Sequence, residues 1–293
     1  MKIVTYNIQY GVGKDERLDL ERIADELAGA DIIGLQEVDR FWKRGGEVDQ
    51  AETLAEMLAD YYWVYASGMN VDASYRDDSG KLINRRRQHG DMVLSRYPIL
   101  STRSWPLPAK GSITRHSMHA TLLEAVIDAP GGALRIYNVH LFYWSPDFAL
   151  EQAKFVRMRI LAAPLEGGSW NGDPAWMADH WTNGEQVPPM PDAAILLGDM
   201  NSAPASEVYD EFIGPVGMEG GRVQTLDRFV DPWTWLGNDE DSGATAHFGD
   251  HRIDHIWITP NLRDRIRAMH IDSSATGSDH KPVWLELDEN ANS

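Results

Sequence analysis

Chemistry in this chain can be built from Asn7, Glu37, His140, Asp199, Asn201, Asp254, Asp279 and His280. Asn7 follows the stretch KIVTY, Glu37 follows DIIGLQ, His140 follows LRIYNV, and Asp199 and Asn201 follow AAILLG. Asp254 sits in RIDHIWI, and Asp279 and His280 directly precede KPVWLEL. Each alone has an ordinary explanation, since Asn or Asp at a strand end usually forms a turn. Several separate apolar segments that each finish on a metal-binding or proton-moving residue are read more economically as one convergent site.

Gathering Glu37, Asp199, Asp254 and Asp279 in one cavity would raise some of their pKa values and oppose folding unless a cation compensates. Asn7, Glu37 and Asp279 form an oxygen-rich set that suits a hard ion, Mg²⁺ or alternatively Mn²⁺. Zinc fits less well. The chain has no cysteine and no HExxH, and His251 and His255, four apart, fall in a strand-like stretch where that spacing makes no tight pair. There is no GxSxG elbow, and Gly11-Val12-Gly13-Lys14 lacks the spacing that cradles a triphosphate.

The elements that must position these residues are mostly strands. Apolar or alternating segments at 2–7, 31–36, 91–95, 118–127, 134–140, 193–198, 252–258 and 281–287 read as strands, several buried on both faces. The clearest helix spans 19–28, with Leu20, Ile23, Ala24 and Leu27 on one stripe, Asp19 as cap and Gly29 past its end. Further helices are expected near 50–59 and 147–162. Strands that first alternate with helices and later follow one another suit two packed sheets with helices outside. The segment 164–192, punctuated by Pro and Gly and carrying Trp170, Trp176 and Trp181, is expected as a long ordered loop that either packs on the scaffold or covers substrate. One catalytic domain over 1–288 and a tail at 289–293 are expected.

Composition narrows the partners. The 293 residues carry 27 Lys+Arg against 45 Asp+Glu, a formal net charge of −18, and no cysteine. A disulfide framework, a thiol nucleophile and an Fe–S cluster are thereby excluded. Long-range repulsion disfavours a polyanion such as DNA. The N-terminus shows no signal peptide and no run approaches a membrane span, so a soluble, cytoplasmic protein is expected, although a removed leader would leave no trace.

These motifs together resemble the endonuclease/exonuclease/phosphatase superfamily, the family of DNase I, nearly end to end. The resemblance is carried by TYN with Asn7, LQE with Glu37, HGDMVLSRYPI at 89–99, NVHL with His140, LLGDMNSAP with Asp199 and Asn201, RIDHIWI with Asp254, and SDHKPV with Asp279 and His280. It implies a four-layer α/β/β/α sandwich, with two mainly antiparallel sheets packed face to face, and Mg²⁺-dependent hydrolysis of a phosphate ester by in-line attack of water. By the same resemblance Glu37 is the principal metal carboxylate, assisted by Asn7 and Asp279. Asp254 orients His280, Asp199 and Asn201 lie beside water and phosphate, and His140 donates to a phosphoryl or leaving oxygen. Which of Asp199, His140 and His280 takes the proton from water stays open.

The substrate is less legible than the reaction. Arg115 stands where some relatives place a phosphate-contacting arginine, Arg96 reads as structural, and Arg85, Arg86 and Arg87 form a local basic run that either is solvated or guides an anion. Gln9 replaces the acidic residue that abasic-site endonucleases carry two places after Asn7, which argues against DNA repair. Phe142, Tyr143, Trp144, Trp233 and Trp235 can stack on a base, hold a cationic head group or simply pack. The expectation is a phosphodiesterase on a small or lipid-derived substrate; a nuclease is the alternative within the class, and a catalytically silent binding module the alternative outside it.

Overall fold

A computed structural model describes residues 1–172 and 185–289. Its strands are β1 (Lys2–Asn7), β2 (Ile32–Arg40), β3 (Tyr62–Asp72), β4 (Tyr75–Arg76), β5 (Leu82–Ile83), β6 (Arg86–Ser95), β7 (Ile99–Pro106), β8 (Thr121–Ile127), β9 (Leu134–His140), β10 (Ala194–Asp199), β11 (Asp254–Ile258), β12 (Ile266–Ile271) and β13 (Val283–Leu287). The helices include α1 (Leu20–Glu26), α2 (Gln50–Met57) and α3 (Pro146–Glu166), and a further helix covers Glu207–Ile213.

Two sheets carry the fold, one ordered β12-β13-β1-β2-β6-β3 and the other β11-β10-β9-β8-β7, while β4 and β5 pair apart. Among these strands only β1–β2 and β9–β10 run parallel; the remaining pairs are antiparallel. The inner faces meet in an apolar layer that includes Ile3, Ile32, Val93, Leu123, Ile136, Ile195, Ile256 and Leu285. On the outer face of the first sheet, Ile23, Leu27 and Leu54 of the α1–α2 side pack on Val4, Ile33 and Leu94. On the outer face of the second, Val156, Ile160 and Phe212 pack on Tyr137, Leu196 and Trp257. These three apolar layers separate the four layers of an α/β/β/α sandwich.

Local signals explain most boundaries. Asp19 accepts from the Arg22 N–H and caps α1, and Asp49 caps α2 in the same way, as the residue types demand. Helix α1 stops at Glu26 and α2 at Met57, two residues short of their expected ends. Helix α3 departs from expectation, because it runs through Pro164 to Glu166 and so takes the first residues of the expected loop. Pro164 has no N–H for the carbonyl of Ile160, but the buried Arg135 guanidinium on β9 donates to that oxygen at 2.7 Å. The rest of 164–192 is described only at 167–172 and 185–192; Trp176 and Trp181, like most of the tail, lie outside the described residues.

Strands β3, β7 and β12, which the apolar runs of the sequence do not mark, are all edge strands. Along β7 half-buried and exposed residues alternate strictly, so no continuous apolar run arises there.

Between the sheets lies one polar clamp. Asn138 on β9 is fully buried; its amide donates to the carbonyls of Leu35 (2.8 Å) and Met92 (2.9 Å), and its Oδ1 accepts from Gln36 Nε2 at 2.6 Å. Gln36 also donates to Thr5 Oγ1 at 3.0 Å. The clamp thus ties β1, β2 and β6 to β9. Replacing Asn138 by Ala takes the amide donor from the Leu35 and Met92 carbonyls and one acceptor from Gln36, which keeps Thr5 Oγ1, and is expected to cost about 1–3 kcal/mol. Urea unfolding measures this, and a change below about 0.5 kcal/mol would show the clamp to be incidental.

Candidate active site

The two parallel pairs end at the same rim of the sandwich, and the site is built there. Asn7 ends β1, His140 ends β9 and Asp199 ends β10; Asp199 lies directly across from His140 on one side and from Asp254 on the other. Partners in register point to the same face. Asp199 therefore continues the inward row of Ile195 and Leu197, and at the rim that apolar row turns acidic.

Glu37 reaches the same cleft by a different device. The β2–β6 ladder slips between Leu35 and Val38, and Glu37 takes a left-handed φ of 58°. Such a bulge re-aims a side chain that regular alternation would send to the outer face. Asn201 has φ 48°, and Gln9 and Tyr10 are left-handed as well; all four line the cleft, a concentration of strained backbone expected at functional positions. Gly198, before Asp199, has φ 143°, and a Cβ there would stand 1.9 Å from the Val139 carbonyl oxygen, so glycine is required. The Ser278 hydroxyl donates to the Asn7 carbonyl and accepts from the His280 N–H, which fixes the 278–280 turn beside β1.

The cleft holds about 520 Å³ and is lined in part by Glu37, His140, Asp199, Asn201, Asp279 and His280. Asn7 Nδ2 lies 3.0 Å from Asp199 Oδ2 and 3.4 Å from Glu37 Oε1. His140 faces the same two carboxylates, with Nε2 3.5 Å from Asp199 and Nδ1 4.0 Å from Glu37. His280 Nδ1 is 2.9 Å from Asp254 Oδ2, while its Nε2 is 3.8 Å from Asp199 and 3.9 Å from Asp279. Asp199 Oδ1 accepts the Asn201 N–H at 2.8 Å.

Electrostatics follow from this crowding. Burial alone would depress His280, but Asp254, Asp199 and Asp279 overcome it and raise its pKa to about 10. Asp279 is pushed up chiefly by burial and further by Glu37, against the opposing pull of His280. Asp91, buried behind the cleft, is pushed well up by burial and by Glu37 and Asp199. Lysine and arginine do not contact these acids among the described residues, so their repulsion is met by imidazoles, by the Asn7 side-chain amide and by the Asn201 N–H.

The expected residues thus meet, with one exception. Arg115 is exposed and stacks on Trp144 at 4.8 Å, and it does not line the cleft; its neighbour His116 does. Among the expected aromatics Tyr143 lines the cleft, whereas Trp144, Trp233, Trp235 and Trp170 do not. His255 is buried, accepts from Arg252 at Nδ1 and faces the Ser202 carbonyl, a structural role beneath the 199–202 turn. Arg96 lies outside the cleft, stacked on Tyr61.

The model of the Endonuclease/Exonuclease/phosphatase family matches residues 4–280. The chain belongs to the endonuclease/exonuclease/phosphatase family. Its structure is similar to an endonuclease/exonuclease/phosphatase from Beutenbergia cavernae DSM 12333, with 21% identity, 99% of this chain and 72% of that chain covered, and a TM-score of 0.66. A mannosyl-6-phosphatase from Bacteroides thetaiotaomicron VPI-5482 gives 18% identity, 98% and 99% coverage and a TM-score of 0.60. The human Nocturnin catalytic domain, with a bound sulfate anion, gives 17%, 98% and 94% coverage and 0.57. At these identities the likeness is one of fold. No match to a curated protein sequence was found.

On this endonuclease/exonuclease/phosphatase scaffold one cluster of donors could hold a divalent cation. Asp199, Asp254 and His280 offer ligand atoms within 4.8 Å of one another, and Asp254 Oδ1 is buried without a hydrogen-bond partner. Asp254 already holds His280, and the carboxylates that line the cleft are Glu37, Asp199 and Asp279. Asn7 is turned the other way. Its Oδ1 accepts the Gln9 N–H and its NH₂ faces the acids, so ligation would require the amide to rotate. Sequence reasoning missed Tyr10, Trp42, Arg44, Met69, His116, Met118 and Phe248, which line the cleft from loops and strand segments without a motif.

Mg²⁺ or Mn²⁺ at 100 times its Kd is expected to stabilise the protein by about 2.7 kcal/mol. Glu37→Gln should raise metal-free stability by relieving repulsion and weaken the metal response. Thermal unfolding with and without EDTA measures both, and an undiminished metal response in the variant would place the cation elsewhere.

Proposed function

We propose that the chain is a Mg²⁺-dependent phosphoesterase that hydrolyses a phosphodiester of a small or lipid-derived molecule. The observation that carries this reading is the one cleft lined by Glu37, Asp199, Asp279, Asn201, His140 and His280, the last held from behind by the buried Asp254. The acidity of the cleft supports a diester, which brings one negative charge where a monoester at neutral pH brings close to two. It also disfavours a polynucleotide, which needs many cationic contacts.

A bound divalent cation, held by Glu37 and Asp279 with Asn7 beside them, would offset charge on the phosphoryl and leaving oxygens. The chain's own residues supply the rest. His280 faces acceptors at both nitrogens, Asp254 at Nδ1 and Asp199 and Asp279 at Nε2, so it acts as a charged donor toward phosphate. Asp254, fully buried, keeps that ring oriented. Asp199 then becomes the group that takes the proton from the attacking water. Its Oδ1 is anchored by the Asn201 N–H, its Oδ2 faces the cleft-side histidines, and its burial limits competing solvent. His140 and the second amide hydrogen of Asn201 donate to oxygens that gain charge as water attacks in line. The sulfate anion bound to the Nocturnin catalytic domain and the name mannosyl-6-phosphatase, given to proteins of similar fold, support a phosphate-like anion as the ligand.

Turnover of bis(p-nitrophenyl) phosphate is expected to require Mg²⁺ or Mn²⁺ and to stop in EDTA. Asp199→Asn, Glu37→Ala and His280→Ala should each lower kcat by about 10²-fold or more. Metal-independent turnover, or variants that match the parent, would overturn the proposal.

A further inference from the structure

Arg44 is the lone Lys or Arg among the described residues that line the cleft. It sits in the turn Lys43–Gly45 after β2, and its guanidinium is fixed on three sides. Nε donates to Asp39 Oδ2 at 2.8 Å and Nη2 to Asp39 Oδ1 at 3.1 Å, with His89 Nδ1 3.1 Å away. The Tyr10 ring lies 4.2 Å from the guanidinium carbon and the Trp42 ring 5.7 Å from it. Nη1 makes no hydrogen bond among the described residues, and the side chain remains 41% exposed.

The same side of the cleft takes up the basic run that the reaction does not use. Arg87 lies over the Trp42 ring at 5.5 Å, and Arg85 sits between Phe41 at 4.9 Å and Tyr75 at 5.0 Å. Arginines and aromatics therefore interleave outward from Arg44, on a chain whose net charge is −18. Asp39 Oδ1 also has His89 Nδ1 at 2.7 Å, so that buried carboxylate has a second hydrogen-bond partner besides the arginine. A planar fork held by a buried acid and backed by rings is preorganised to receive an oxyanion. A cleft of about 520 Å³ has room for a whole small molecule, beyond the one group being hydrolysed.

We propose that Arg44 recognises a second phosphate on the substrate, separate from the scissile ester, and so selects molecules that carry two phosphate groups. The proposal rests on the phosphoesterase reading and names the substrate class of that same site. The second phosphate can come from a nucleoside or from a phosphorylated polyol, and the recognising chemistry is the same.

The test uses matched pairs with the full-length protein and Mg²⁺. Thymidine 5′-(p-nitrophenyl phosphate) is compared with its 3′-phosphorylated form, and glycerophosphoinositol with its 4-phosphate. In at least one pair the parent should favour the doubly phosphorylated member by about 10–100-fold in kcat/KM, mainly through KM, as a charge-assisted hydrogen bond predicts. Arg44→Gln should reduce that preference to about threefold or less, and Arg44→Lys should keep part of it. Because Arg44→Gln leaves Asp39 buried without its main partner, the double variant Asp39→Asn/Arg44→Gln is measured beside it, and both are checked for folding by circular dichroism. Calorimetric binding of thymidine 3′,5′-bisphosphate against thymidine 5′-monophosphate, with the polyol pair bound in parallel, reads the contact without turnover. A parent without preference in either pair, or a folded variant that keeps it, would overturn the inference. Loss of all turnover with an Arg44-dependent binding preference intact would instead fault the phosphoesterase reading.

Discussion

Repulsion between carboxylates in a confined rim is the constraint on which the rest of this structure depends. Glu37, Asp199 and Asp279 face one cleft, Asp254 stands directly behind, and Asp91 is buried close enough to feel two of them. Water screens such charges poorly once they are enclosed. The protein answers with what it has: the Asn7 amide is turned toward two of the acids, His140 lies between the same two, and three carboxylates hold the proton on His280. Such an arrangement suits a divalent cation and a phosphate bound together, the cation relieving the acids and the anion finding donors.

Holding that arrangement requires the sheets to keep a fixed spacing, and the clamp of Thr5, Gln36 and Asn138 lies immediately below the site. These residues precede Asn7, Glu37 and His140 by two, one and two positions. Apolar side chains alone would fill the gap between the sheets but set the register loosely, because their contacts are non-directional. Amide-to-carbonyl bonds at 2.6–2.9 Å are directional, so they lock β9 against β2 and β6. Asp199 gains a second anchor from the αL turn at Asn201, which is itself supported from below by His255 and Arg252.

Charge is also divided across the molecule. A surface at −18 repels polyanions at long range, yet the side of the cleft at Arg44, Arg85 and Arg87 gathers cations supported by aromatic faces. Such a division suits a compact anion better than a long one, since a small ligand would meet the local cations without lying along the acidic surface.

Much of the frame is legible in the amino-acid sequence. Buried strands announce themselves through runs such as KIVTY, DIIGLQ and AAILLG, and polar residues at their ends mark a shared rim, because a side chain at the end of an apolar row cannot be explained by the core. The edge strands β3, β7 and β12 are not legible, since a half-solvated strand has no need of an apolar run. Helix α3 passes its proline because a side chain from β9 supplies the missing donor, a compensation that no local pattern encodes. Residue types thus determined the fold class and which acids, amides and imidazoles gather at the strand ends. Tertiary structure alone decided that a bulge turns Glu37 inward, that Arg115 faces Trp144 while Arg44 faces the cleft, and that Asn7 offers its amide to the acids, because side-chain direction is set by backbone torsion and by neighbours far away in the chain.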